Sequence, residues 1–277
     1  MSIIIGGNIL DANDMNPSGN TVNVPNVVTR DLVLWLDAGN NSSYINSSNY
    51  YDCGYGCMYY SSNPGCTNCN TQIKDMSGFG YDGTFNGGMG ISQTIDGGGS
   101  MYFDGSNDYV SIGNVGSFST FTVEIWFKSD SVSNYRNPID CNWLVFNGGA
   151  SGYSNIGPRL EQNSSGVLGW VIGDAAGNYT GVNVIPSGMS SSAIHCAVIT
   201  KTGASSFLSY YNGTNVTSTT FANWTGTMSN VNIGRGFSTS AERWFIGGVP
   251  IVRIYKRALS ATEILQNYNN GRIRFGV

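Results

Sequence analysis

Charge is what this chain has least of. Asp, Glu, Lys and Arg make up 11% of its residues, against about a quarter in ordinary globular domains. There is no basic run, and the net charge is −4. That argues against nucleic acid as a partner, because phosphate neutralisation needs clustered cations. No apolar stretch approaches the ~20 residues a membrane helix requires, so no membrane partner is expected. The opening "MSIIIGGNIL" has no basic n-region, and its apolar run breaks at Gly6-Gly7. It does not read as a secretory signal. Several Asn-x-Ser/Thr triplets occur, as an Asn-rich, low-charge chain produces by chance. Histidine is nearly absent too: His195 is the sole residue of its kind.

Gly, Asn, Ser and Thr fill the space that charge leaves. With 40% hydrophobic and 12% aromatic residues the chain is not disordered. At this length about three quarters of the unfolded surface can be buried, so the core does not depend on disulfides. Residues 1–29 hold turn formers, two prolines and the short alternating piece "TVNVPNVV". They read as an N-terminal arm, able to lie on a neighbouring subunit or tied loosely to its own domain. "DLVLWLDAGN" is an apolar run ending at a turn, hence a strand. Residues 41–72 form a polar insertion rich in Tyr and Cys. "FTVEIWFKS" alternates Phe121, Val123, Ile125 and Phe127 against Thr122, Glu124, Trp126 and Lys128. "NWLVFNGG", "GVLGWVIGD", "AIHCAVITK", "FLSYYNGTNV", "SNVNIGRG" and "FIGGVPIVRIYKR" follow, each bounded by Gly, Asn or Ser. Many short strands with regular turns predict a sandwich or barrel. The single helix expected lies in "LSATEILQNYNNG". Ser260 and Glu263 form a capping box, Ile264, Leu265 and Tyr268 supply the apolar stripe, and Gly271 ends it. Residues 30–277 read as one domain.

These pieces, in this order, resemble the laminin-G-like, concanavalin-A-like lectin/glucanase superfamily. "LVLWLDAGN" with "KDMSGFGYDGTF" is similar to its opening, and "MYFDGSNDYVSIG" with "STFTVEIWFK" to its most recognisable segment. "AIHCAVITK" with "LSYYNGTNV" resembles its middle hairpin, and "FIGGVPIVRIYKRALSATEILQNY" its ending. The resemblance implies an all-β jelly-roll sandwich of two antiparallel sheets with one short C-terminal helix. Such modules occur in virion proteins of tailed phages. The expected function is therefore a non-enzymatic virion component, a capsid decoration or tail/fibre protein made in the host cytoplasm. Its partners would be capsid or tail subunits, further copies of itself and a host-surface glycan. The alternative is a secreted or cell-surface carbohydrate-binding module.

Candidate sites divide by chemistry. In "DGSND", Asp104, Asn107 and Asp108 suit a hairpin turn; the alternative is calcium, which takes hard oxygens from a flexible loop. Cys53, Cys57, Cys66 and Cys69 are spaced C-x3-C-x8-C-x2-C and could hold zinc or form two disulfides. Cys196 alternates with apolar neighbours and reads as a buried small hydrophobe; Cys141 carries no assignment. Exposed aromatics stack on sugar rings, so Tyr50, Tyr51, Tyr59, Tyr60, Trp224 and Trp244 are candidates, with Trp143 and Trp170 behind them. Trp35, Trp126 and Trp170 read as core. Polysaccharide cleavage needs two positioned carboxylates, and "FTVEIWFKS" supplies Glu124 alone. His195 and Cys196 are strand neighbours that point to opposite faces, so they cannot pair as base and nucleophile. No catalytic residue is expected, and the glycines of "GRG" lack the context of a phosphate-binding loop.

Overall fold

Alternating apolar residues become strands, and the order of those strands decides which face each residue meets. The computed structural model of the chain describes residues 26–40, 43, 71–92, 99–132, 135–141, 157–174, 178–185, 188–191, 193–221, 224, 227–236 and 243–277, with the backbone of 3–5, 8–10, 237 and 242. In chain order the first strands are β1 (Ile3–Ile5), β2 (Asn8–Leu10), β3 (Leu32–Asp37), β4 (Gln72–Ile73), β5 (Gly83–Asn86), β6 (Gly90–Ser92), β7 (Ser100–Asp104) and β8 (Tyr109–Gly113). Then come β9 (Gly116–Ser117), β10 (Phe121–Ser129), β11 (Arg136–Asp140), β12 (Arg159–Gln162), β13 (Leu168–Gly173), β14 (Tyr179–Ile185) and β15 (His195–Lys201). The last are β16 (Ser206–Tyr211), β17 (Thr214–Thr220), β18 (Thr227–Met228), β19 (Val231–Ile233), β20 (Arg235–Phe237), β21 (Glu242–Trp244) and β22 (Ile246–Tyr255), before helix α1 (Ala261–Phe275).

Two antiparallel sheets carry the fold. The first runs β17-β16-β15-β10-β22-β7-β6, with β3 also on β22. The second runs β14-β13-β12-β11-β19-β8-β5-β4. Phe121, Val123, Ile125 and Phe127 of β10 face Leu160, Trp170, Ile172, Val182 and Ile233 of the second sheet in one continuous core. This is the jelly-roll sandwich the sequence predicts.

The first sheet is buried on its other face as well. Helix α1 lies across it, and Trp126 packs beneath Tyr268, ring centroids 5.5 Å apart and nearly parallel. Leu32, Cys196, Val198, Tyr210, Ile251, Tyr255 and Ile264 complete that second core. The helix opens on the expected capping box at Ser260 and Glu263. Its end is a correction: α1 continues past Gly271 to Phe275 and is capped by Gly276 in the left-handed conformation. Gly271 is there for space, since a Cβ on it would lie 2.5 Å from Trp126. The lost helix propensity of about 1 kcal/mol is the cost of that approach.

Residues 26–29, read as part of the arm, are tied to this layer. The Val28 amide donates to Asn267 Oδ1 at 2.9 Å, and Tyr255 donates its hydroxyl to Val28 O at 3.0 Å. Gln266 donates to Asn26 O at 2.6 Å. Among the described residues no helix is long and apolar enough to cross a membrane.

Candidate functional site at the crossover end

Three connections pass between the sheets at one end of the sandwich. The turn after β7 leads to β8, the segment after β10 leads to β11, and the β20–β21 hairpin leads from β19 to β22. Their roots are tied together. Asp104 pairs with Ile246, and the Asp130 amide donates to Ile246 O at 3.1 Å. Tyr102 donates its hydroxyl to Asp130 Oδ2 at 3.0 Å. Connections held on a rigid scaffold are where recognition residues are usually displayed.

This end gathers aromatic rings and guanidinium groups. The ring of Tyr109 lies 6.2 Å from that of Trp244, tilted by 42°. The Arg235 guanidinium covers Tyr109, its Cζ 3.4 Å from the ring centre. Arg235 also donates from Nε to Asn232 Oδ1 at 3.1 Å. The Arg243 guanidinium stands 4.5 Å over Tyr135, whose ring is exposed. Glu161 takes hydrogen bonds from Arg243 and, at 3.2 Å, from Arg159. Arg159 in turn lies 3.9 Å from Asp140.

Arg136 differs from these neighbours. Its Nη1 donates to Trp244 O at 2.9 Å, and a Cβ on Gly105 would lie 3.2 Å from that nitrogen. Its Nε is buried without a hydrogen-bond partner. Among the described residues no carboxylate pairs with it. Burial pushes its pKa below the usual value for arginine. The half-buried side chain thus holds a cation with one neutral acceptor.

The "DGSND" turn borders the same end, and its carboxylates serve the turn itself. Asp104 Oδ1 accepts from the Ser106 amide at 2.8 Å, and Asp108 Oδ2 accepts from the Asp104 amide at 3.1 Å. Burial and then the charge of Asp104 raise the Asp108 pKa to about 6, against one backbone hydrogen bond that lowers it. Among the described residues no group of three or more His, Cys, Asp or Glu side chains could hold a metal.

The remaining sequence candidates separate cleanly. Trp244 is half-buried and stands at the crossover end. Trp224 is a correction: it is 7% exposed, with its ring 4.8 Å from Phe121 and 6.1 Å from Phe207. It serves the core through these two rings, contacts that a one-residue reading cannot anticipate. Trp126 and Trp170 are core, as expected, and Trp35 is half-buried under the Arg253 guanidinium. Trp143, Tyr50, Tyr51, Tyr59, Tyr60, Cys53, Cys57, Cys66 and Cys69 lie outside the described residues.

Glu124 and His195 are both structural. Glu124 is buried beneath α1. Its Oε1 accepts from Trp126 Nε1 at 2.9 Å and Arg253 Nη1 at 2.6 Å, and its Oε2 accepts from Asn267 Nδ2 at 2.9 Å. His195 Nε2 lies 2.8 Å from Ser190 O, which can only accept. That nitrogen therefore carries the proton, and Nδ1 accepts from Tyr211 Oη at 2.9 Å. Burial lowers the His195 pKa, consistent with a neutral ring. Cys196 is buried on the helix-covered face, so no nucleophile–base pair forms. Sequence reading passed over Tyr109, Tyr135, Arg136, Arg235 and Arg243. Strand β11, "RNPID", was hidden by Pro138, which sits where the pairing with β12 is irregular.

A family model described as the concanavalin A-like lectin/glucanases superfamily matches residues 104–265. The chain belongs to that superfamily. A comparison with curated proteins returns no match. Among solved structures the chain is similar to the binding domain of Paraclostridial Mosquitocidal Protein 1, with TM-score 0.58 and 15% identity over 87% of this chain and 52% of that one. It is also similar to the Botulinum Neurotoxin Type G receptor binding domain, with TM-score 0.55 and 14% identity over 86% of this chain and 51% of that one. A third is the binding domain of Botulinum Neurotoxin DC in complex with SialylT, with TM-score 0.55 and 13% identity over 87% of this chain and 52% of that one. The chain spans about half the length of these structures, and at such identities the likeness is one of fold.

Proposed function

We propose that this chain is a non-enzymatic, lectin-like adhesion module that binds glycan at its crossover end. The observation that carries the reading is the Tyr109–Trp244 pair beside Arg136, displayed by three connections on a rigid sandwich. Aromatic faces pack on the apolar faces of sugar rings, while polar groups orient them. The absence of catalysis is supported by Glu124, whose carboxylate is sealed under α1 and fully hydrogen-bonded. The similar structures are binding domains of toxins, which supports a recognition role.

A glycan array probed with the purified chain tests this. Binding is expected for the native chain, and Trp244→Ala should weaken it about tenfold or more, as loss of a stacking anchor does. An array that stays blank, or a Trp244→Ala variant that binds unchanged, would overturn the reading.

The setting we propose is a phage particle, with residues 1–25 as the attachment arm and the crossover end facing outward. Support comes from the low charge content and the turn-rich N-terminal sequence. Sedimentation with capsid or tail proteins in fixed ratio is expected; recovery only as a free species or on cell envelopes would favour a secreted or cell-surface binder. Cys53, Cys57, Cys66 and Cys69 are proposed to staple the insertion through zinc or two disulfides. Thiol counting with metal analysis separates these, and four free thiols without metal would overturn both.

A further inference from the structure

We propose that the ligand of the crossover end is an acidic saccharide, a sugar carrying a carboxylate or sulfate group, and that Arg136 is the residue that reads its charge. The inference rests on the glycan-binding reading and adds the chemical class of the sugar.

The four arginines of this cluster are engaged differently. Arg159 and Arg243 share the Glu161 carboxylate, and Arg159 also faces Asp140. Arg235 lies flat on Tyr109 and bonds Asn232. Arg136 has one neutral acceptor, the Trp244 carbonyl, and an Nε with none. It stands at the start of β11, half-buried, between the Trp244 backbone and Gly105.

Placing a cation in that position without a counter-charge is unfavourable in the free protein. An anion beside it recovers the difference. A guanidinium presents its donors as a planar fork, and that fork matches the two oxygens of a carboxylate or sulfate. Partial burial strengthens the attraction relative to an exposed pair. Trp244 links charge and ring recognition, because its carbonyl holds Arg136 while its indole lies beside Tyr109. A sugar packed on the half-buried Trp244 indole would carry its acidic group toward Arg136. The chain is acidic overall, with net charge −4, so the preference would come from this site and not from the general field.

The test compares oligogalacturonate with its fully methyl-esterified form, two probes that differ in charge, by titration calorimetry on the full chain. The native chain is expected to bind the acid form at least about tenfold more tightly, as a charge-assisted pair provides, and the advantage should shrink as salt is raised. Arg136→Gln should abolish the preference, the two probes then binding with equal affinity. Arg136→Lys should retain part of it, which guards against a merely structural effect. Thermal unfolding of each variant verifies folding. Equal binding of both probes, or a preference that survives Arg136→Gln, would overturn the acidic-sugar assignment and leave the glycan reading intact. Binding of neither probe, with neutral glycans bound on the array, would likewise overturn this inference alone. Failure on every glycan would remove both. Equally tight binding of a polyglutamate peptide would overturn the sugar requirement.

Discussion

Glu124→Leu is expected to destabilise the chain by about 3–5 kcal/mol, the usual cost of leaving one half of a buried ion pair behind. Arg253 is 1% exposed, and Glu124 supplies its carboxylate partner at 2.6 Å. The two face each other across adjacent strands β10 and β22. Burial alone would lower the Arg253 pKa, but the Glu124 charge, with Tyr255, Asp37 and Cys196 after it, raises it overall. Removing Glu124 also takes acceptors from Trp126 and Asn267. Asn267 holds Val28, so α1 and the incoming chain loosen together. Urea unfolding measures the loss as a lower midpoint. A double variant, Glu124→Leu with Arg253→Met, should recover most of the stability, because two apolar groups of similar size leave no charge unpaired. An unchanged midpoint for the single variant would show that the pair contributes nothing. Activity assays give no alternative reading, since the carboxylate never meets a groove.

The second large effect is expected at Gly234. This residue lies where the chain leaves β19 for the β20–β21 hairpin, with φ at +86°. A Cβ there would strike Phe103 at 2.2 Å. Phe103 is fully buried and is packed against Phe245 at 6.0 Å, so it has no room to retreat. Gly234→Ala should therefore cost about 2–5 kcal/mol, combining overpacking with left-handed backbone strain. The same change should disturb glycan binding, because the hairpin carries Arg235 and Trp244. A variant as stable as the native chain would show that the crossover can shift without cost.

Gly234 also shows how far sequence reading reaches. In the sequence the glycines of "GRG" lack the context of a phosphate-binding loop, and no local signal gives them another role. The need for space at Gly234 comes from Phe103 on the other sheet and that at Gly236 from Asn137, each close to a hundred residues or more away in the chain. Gly271 teaches the same lesson in α1. It reads as a stop signal in a helical pattern, and it is instead the point where the helix touches Trp126. Trp126 and Glu124 read as the outward face of β10, and they are outward from the sandwich core. That the helix then covers them was not visible in "FTVEIWFKS".

The sequence by itself determined the class of fold, because period-two alternation and turn residues are local and repeat along the chain. It determined the capping box of α1 and the turn at Asp104 and Asp108 for the same reason, each depending on residues within a few positions; the hairpin expected there is a correction, because β7 and β8 belong to different sheets and the turn crosses between them. It also marked Trp244 as a binding candidate. Only the tertiary structure decided which arginine stands without a counter-charge, which tryptophan faces the surface, and where Glu124 is spent. Those outcomes depend on pairs such as Arg136 with Trp244 and Glu124 with Arg253, which lie more than a hundred residues apart in sequence. Sheet register brings such pairs together, and burial then sets the strength of their interaction.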